Sequence, residues 1–144
     1  MKITRITFNP NTFGITQKSL KMLRNTLAEK IGHRIAVVEV PTNDICCGYF
    51  IFDWNLQNAT WTGDGFRLDG GGEGGAGYRS AKILFGFFGA WPIHHSEQVN
   101  FDEIYSLQER ETERQLKALA EKIAGELNFE EFFRPSERMP EYVR

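Results

Sequence analysis

The chain has 144 residues, 41% of them apolar and 25% charged, with a net charge of −2 at pH 7. That length fits a single domain spanning residues 1–144, and that charge excludes a general electrostatic pull toward nucleic acid or an anionic membrane. The only cysteines, Cys46 and Cys47, are neighbours, which excludes a disulfide framework and points to a reducing, cytoplasmic compartment.

Lys2–Phe8 reads as a strand, with Ile6 and Phe8 alternating against Arg5 and Thr7. Asn9-Pro10-Asn11 ends it by turn chemistry. A helix is predicted from an N-cap at Thr16 to Ile31, because Leu20, Leu23, Leu27 and Ile31 recur at helical spacing and Gly32 suits the position after the last turn. Arg34–Val40 is a second strand, and its continuous Ala36-Val37-Val38 predicts burial on both faces. A helix between two such strands suits a right-handed crossover.

After the Pro41–Asp44 turn, Ile45–Trp54 is an aromatic-rich strand. Asn55–Asn58 is a hairpin loop. Ala59–Thr62 and Phe66–Leu68 are two short strands, or one strand kinked at Gly63-Asp64-Gly65. A helix from Gly77 to Phe88 should bury Tyr78, Ala81, Leu84, Phe85 and Phe88, with Gly89 closing it. Trp91–His95 is extended or looped, since Pro92 biases the residue before it away from helix. A last helix starts near Asn100 and reaches Leu127, with a break or a solvent crossing in the polar stretch Gln108–Gln115. An aromatic turn is expected at Phe129, Phe132 and Phe133, and a frayed tail over residues 136–144. The fold class expected is α+β: a mainly antiparallel sheet from the N-terminal half, packed against helices from both ends of the chain. No apolar run approaches the ~18 residues of a membrane span, and the polar first residues do not read as a secretory signal.

Between the last short strand and the helix at Gly77 lies the functional signal. Glycine fills six of the eight positions Gly70–Gly77. Glycine is entropically costly, so such a run marks backbone that turns sharply or approaches something closely. A glycine loop leading into a helix N-terminus offers N–H donors and a positive dipole end to an anion, usually phosphate. Gly72, Gly74 and Gly77 match the G-x-G-x-x-G pattern of dinucleotide folds, and Glu97 falls near the distance of the ribose-binding acid. That match is cheap in so glycine-rich a tract. The alternating β-α units of such folds do not follow it. Gly72 and Gly77 also have the spacing of a P-loop, but Tyr78-Arg79 replace its Lys-Ser/Thr, which disfavours magnesium-dependent NTP hydrolysis.

The expected ligand site therefore comprises Gly72, Gly74, Gly75 and Gly77 as donors, Arg79 and Arg67 as charge, Tyr78 and Phe66 as stacking surface, and Asp69 as a hydroxyl acceptor. The function expected is non-catalytic binding of a nucleotide-like, phosphate-bearing small molecule. One alternative is an enzyme acting on a phosphorylated or nucleotide substrate, with acid–base or metal-ligand groups drawn from Asp53, Asp64, Asp69 and Glu73. Another is a protein-interaction module with an aromatic interface.

No catalytic residue, cofactor or metal site is assigned. His94 and His95 are adjacent in an extended segment, point opposite ways and make a poor metal pair. Phe87, off the main apolar face, suggests a homo-oligomer.

Overall fold

The computed structural model describes residues 1–127. The expected Phe129–Phe133 turn and the expected frayed tail lie outside the described residues. The described strands and α-helices are β1 (Arg5–Thr7), α1 (Thr16–Glu29), β2 (Ile35–Pro41), β3 (Cys46–Asp53), β4 (Asn58–Trp61), β5 (Phe66–Arg67), α2 (Gly72–Phe88), β6 (Ile93–His95), α3 (Asp102–Tyr105) and α4 (Glu109–Glu126).

The strands form one sheet in the order β1-β4-β3-β2-β6, with β5 also pairing β3. The fold is α+β, but the sheet is mixed rather than mainly antiparallel. β3 runs antiparallel to β2, β4 and β5, whereas β1 pairs β4 and β6 pairs β2 in parallel. The reason is the two helical crossovers. A parallel neighbour must be reached by a long connection. Helix α1 carries the chain from β1 past two strand positions to β2, and α2 carries it from β5 to β6. The expected extended segment Trp91–His95 thus supplies an edge strand, so the second half of the chain also contributes to the sheet. The pair β4 and β5 bears out the expected short strands flanking Gly63-Asp64-Gly65.

Alternation along β2 sorts the core into two layers. Ala36, Val38 and Val40 join Phe50, Phe52, Trp61, Leu116, Ala120 and Ile123 beneath α4. Val37 joins Cys47, Tyr49, Ile51, Leu23, Leu27, Phe66, Ala81 and Phe85 beneath α1 and α2. Strand β2 is therefore buried on both faces, as its apolar run predicts. On α2, Ala81 and Phe85 are fully enclosed, while Tyr78, Leu84 and Phe88 are half-buried against the same cluster. Leu84→Ala is accordingly expected to cost about 1–2 kcal/mol, below the 2–5 kcal/mol of a fully buried leucine, as read by urea unfolding.

Three helical boundaries differ from expectation. Helix α1 has Thr16 as its first residue rather than its N-cap and stops at Glu29, short of Ile31, which is exposed rather than on the apolar face. Helix α2 begins at Gly72, five residues before Gly77, so most of the glycine run is helical. The final helical region breaks at Ser106–Gln108 and restarts at Glu109, at the leading edge of the polar stretch. Among the described residues no helix is long and apolar enough to cross a membrane.

With β3 alone reversed, the other five strands end at one edge of the sheet, and α1 and α2 both begin there. Open sheets with parallel strands place ligands at that carboxyl edge.

Candidate functional site

The edge holds two groups of polar residues. The first surrounds the start of α2. Its N-cap is Gly71, and no side chain caps it. The helical ladder opens with the Gly75 amide on the Gly71 carbonyl at 2.8 Å, so the amides of Gly72, Glu73 and Gly74 have no acceptor within the helix. Asp69 accepts the Gly71 N–H at 3.0 Å and a forked pair of bonds from Arg67, at 3.0 and 2.6 Å. These bonds hold the Asp69 carboxyl below its usual range and the Arg67 guanidinium above its own. Arg79 donates from Nη1 to the Gly70 carbonyl at 3.2 Å and is exposed.

The expected site residues divide here. Arg67, Asp69, Gly72 and Arg79 gather around the first turn. Gly74, Gly75 and Gly77 are buried inside α2, where a Cβ at Gly75 would overlap the Gly70 carbonyl and one at Gly77 would overlap the Thr16 methyl. Their smallness serves close packing of α2 against the preceding turn and α1. Phe66 is fully enclosed, edge-on to Tyr49 at a centroid distance of 5.2 Å. It belongs to the core and offers no ring face to a ligand. Tyr78 lies between these zones, half-buried.

The second group lies beside the ends of β2 and β6. Glu39 is a carboxylate in an apolar strand, 5% exposed. Its Oε1 accepts from the Tyr49 hydroxyl at 3.0 Å and from Lys82 Nζ at 3.2 Å, and its Oε2 lies 3.1 Å from His95 Nδ1. Burial pushes the Glu39 carboxyl up, but the Lys82 charge and the Tyr49 and Lys82 hydrogen bonds outweigh it and hold it below the ordinary value. Burial likewise lowers Lys82, and the Glu39 charge more than restores it. Because Glu39 is ionised, His95 Nδ1 must be the donor, and a neutral His95 then presents Nε2 as an acceptor. The His95 side chain is 63% exposed. Lys82 Nζ also stands 4.7 Å from the Tyr78 ring centroid and 5.8 Å from that of Trp91. Cys47, beneath the group, is buried, and that burial pushes its thiol well above the usual range, which rules it out as a ready nucleophile at neutral pH.

Sequence reasoning passed over this group. The available signal was Glu39 itself, a lone acid in the run Ile35–Val40. Its partners come from β3, α2 and β6, and no spacing in the chain links them.

The four carboxylates considered for catalysis do not converge. Asp53 lies at the opposite edge of the sheet, fully buried and bound to Lys30 and His33 at 2.8 Å each. Asp64 is at the carboxyl edge but accepts from the Gly14 amide at 2.9 Å and the Thr42 hydroxyl at 3.0 Å, tying two loops together. Among the described residues no three His, Cys, Asp or Glu side chains are placed to share a metal ion. No family model, curated protein or solved structure matches the chain.

Proposed function

We propose that the protein binds a phosphate-bearing, nucleotide-like small molecule at the start of α2. The observation that carries this reading is the occupancy of that turn by Asp69. Its carboxylate already sits on a helix-start amide beside a guanidinium, the setting in which a phosphate would bind. Gly72, with nothing within 4 Å of where its Cβ would be, leaves the backbone open to close approach. Arg79 spends only Nη1 on the Gly70 carbonyl, which leaves guanidinium donors for a second anion. Tyr78 and Lys82 follow on one stripe of the helix, so a ligand anchored at the first turn would extend about 12 Å to reach Lys82.

Arg79→Ala is expected to weaken binding by about ten- to a hundredfold, since a charge-assisted hydrogen bond is worth roughly 1.5–3 kcal/mol. Arg114→Ala, which removes a surface pair with Glu111 on α4, is the control that should change nothing. The probes are nucleoside triphosphates, cyclic dinucleotides and nicotinamide dinucleotides, screened by thermal shift and then titrated calorimetrically. Equal affinity in wild type and Arg79→Ala would reject the site.

A second reading, an enzyme on such a substrate, is favoured by the Glu39–His95 pair, a histidine oriented by a carboxylate as general bases are. Chromatography after incubation separates the two: ligand retained unchanged supports binding, and new product supports catalysis.

A further inference from the structure

Helices α1 and α2 run side by side in the same direction. Thr16 meets Gly77 at their close-packed beginning. Beyond that contact the side chains grow larger and the helices leave a groove of about 470 Å³ on their outer surface. Leu20, Ile83 and Leu84 form its apolar floor, and Lys21 and Arg24 stand along the α1 side. Ile83 is 72% exposed, and the apolar ridge continues along the outer side of α2 to Phe87, 52% exposed. From Ile83 to Phe88 α2 carries no charged residue.

The charge around the groove is one-sided. The lining carries Lys21 and Arg24 and, among the described residues, no acid, in a chain whose net charge is −2, so the basic edge is local. Glu29 and Glu73 lie at the last and second residues of their helices, away from the groove's lining.

We propose that this groove docks an acidic amphipathic helix of a partner protein, its apolar side on Leu20, Ile83 and Leu84 and its acidic flank on Lys21 and Arg24. A concave seat between two helices accepts the convex stripe of a third, read as anchors at i, i+3, i+4 and i+7. The ridge from Ile83 to Phe87 prolongs the apolar surface by one further helical turn, about 6 Å. The flanking lysine and arginine supply attraction and select against basic partners.

The test uses the full chain and two labelled designed peptides of about 18 residues, enough for five helical turns. Both carry leucine at the anchor spacing, with glutamate flanks in one and lysine flanks in the other. Fluorescence anisotropy should show saturable binding of the acidic peptide at least about tenfold tighter than of the basic one. Ile83→Glu and Arg24→Glu should each weaken it by about tenfold or more. Both positions are exposed, so unchanged melting temperatures should show that the variants fold. Equal binding of the two peptides, no binding of either, or indifference to both substitutions overturns the proposal. So does wild-type binding to phosphatidylserine vesicles that the variants lose, which would assign the groove to a membrane surface. A dimer in sedimentation that Ile83→Glu dissolves would assign it to a second copy of the chain and overturn the proposal equally.

Discussion

Asp53→Ala is expected to remove about 3–5 kcal/mol of folding stability, the cost of breaking a buried ion pair from one side. Asp53 is fully buried at the end of β3, and all of its acceptor positions are in use. Oδ2 takes Lys30 Nζ and His33 Nδ1, and Oδ1 takes the amides of Asn55 and Leu56 at 2.8 and 3.2 Å. The carboxylate thus joins the β3–β4 hairpin to the C-terminal end of α1. Without it, Lys30 Nζ keeps, among the described residues, only the Asn58 side-chain oxygen at 3.2 Å while remaining 7% exposed. Asp53→Asn should cost less, because the amide oxygen still serves the hairpin amides.

The pH dependence has a definite sign. Burial pushes the Asp53 carboxyl up, but hydrogen bonds from Lys30, His33 and Leu56 outweigh that and hold it below its usual value. A folded-state pKa below the unfolded one, near 3.9, contributes stability that is present above about pH 4. It is lost as pH falls through the folded value. Glu39, also held low, adds in the same direction. Denaturant midpoints should therefore drop steeply below about pH 4, and Asp53→Asn should flatten that drop. A wild-type midpoint unchanged between neutral pH and about pH 3 would contradict the assignment.

How much of this was legible in the chain follows from what each feature depends on. The helical stripe Leu20–Leu27, the doubly buried run in β2 and the split strand around Gly63–Gly65 depend on local periodicity and turn chemistry, and each is present. The parallel pairing of β1 with β4 depends on where α1 sets the chain down, which no local pattern records. The Ile93–His95 strand is three residues long and exists because β2 offers an edge. The site divides along the same line. Arg67, Asp69, Gly72 and Arg79 sit within one turn–helix junction, so their proximity follows from sequence. Glu39, Tyr49, Lys82 and His95 come from four elements and meet only in the folded sheet. Phe66 is fully buried rather than a stacking surface, and an aromatic next to a glycine run fits a stacking platform and a core strand equally well. Only the pairing of β5 with β3 decides between them.

The glycine run itself supplies the other large expected effect. Propensity alone argues against a helix there, since each interior glycine costs about 1 kcal/mol relative to alanine. Packing overrides that cost at Gly75, where any Cβ would overlap the carbonyl carbon and oxygen of Gly70. Those are backbone atoms, and the turn that holds them is fastened by the Asp69–Gly71 and Arg79–Gly70 hydrogen bonds. They cannot swing aside as a side-chain tip would. Gly75→Val should therefore cost at least about 3 kcal/mol, the upper end of overpacking penalties, and should loosen the proposed ligand turn at the same time. Gly125 provides the opposite case. It lies in α4 on the exposed side, and nothing stands within 4 Å of where its Cβ would be. Gly125→Ala should stabilise the protein by about 0.5–1 kcal/mol through helix propensity alone. Urea unfolding of the two variants reads both signs. A Gly75→Val protein as stable as wild type would mean that α2 does not begin inside the glycine run, and the run would revert to the open loop that its composition suggests.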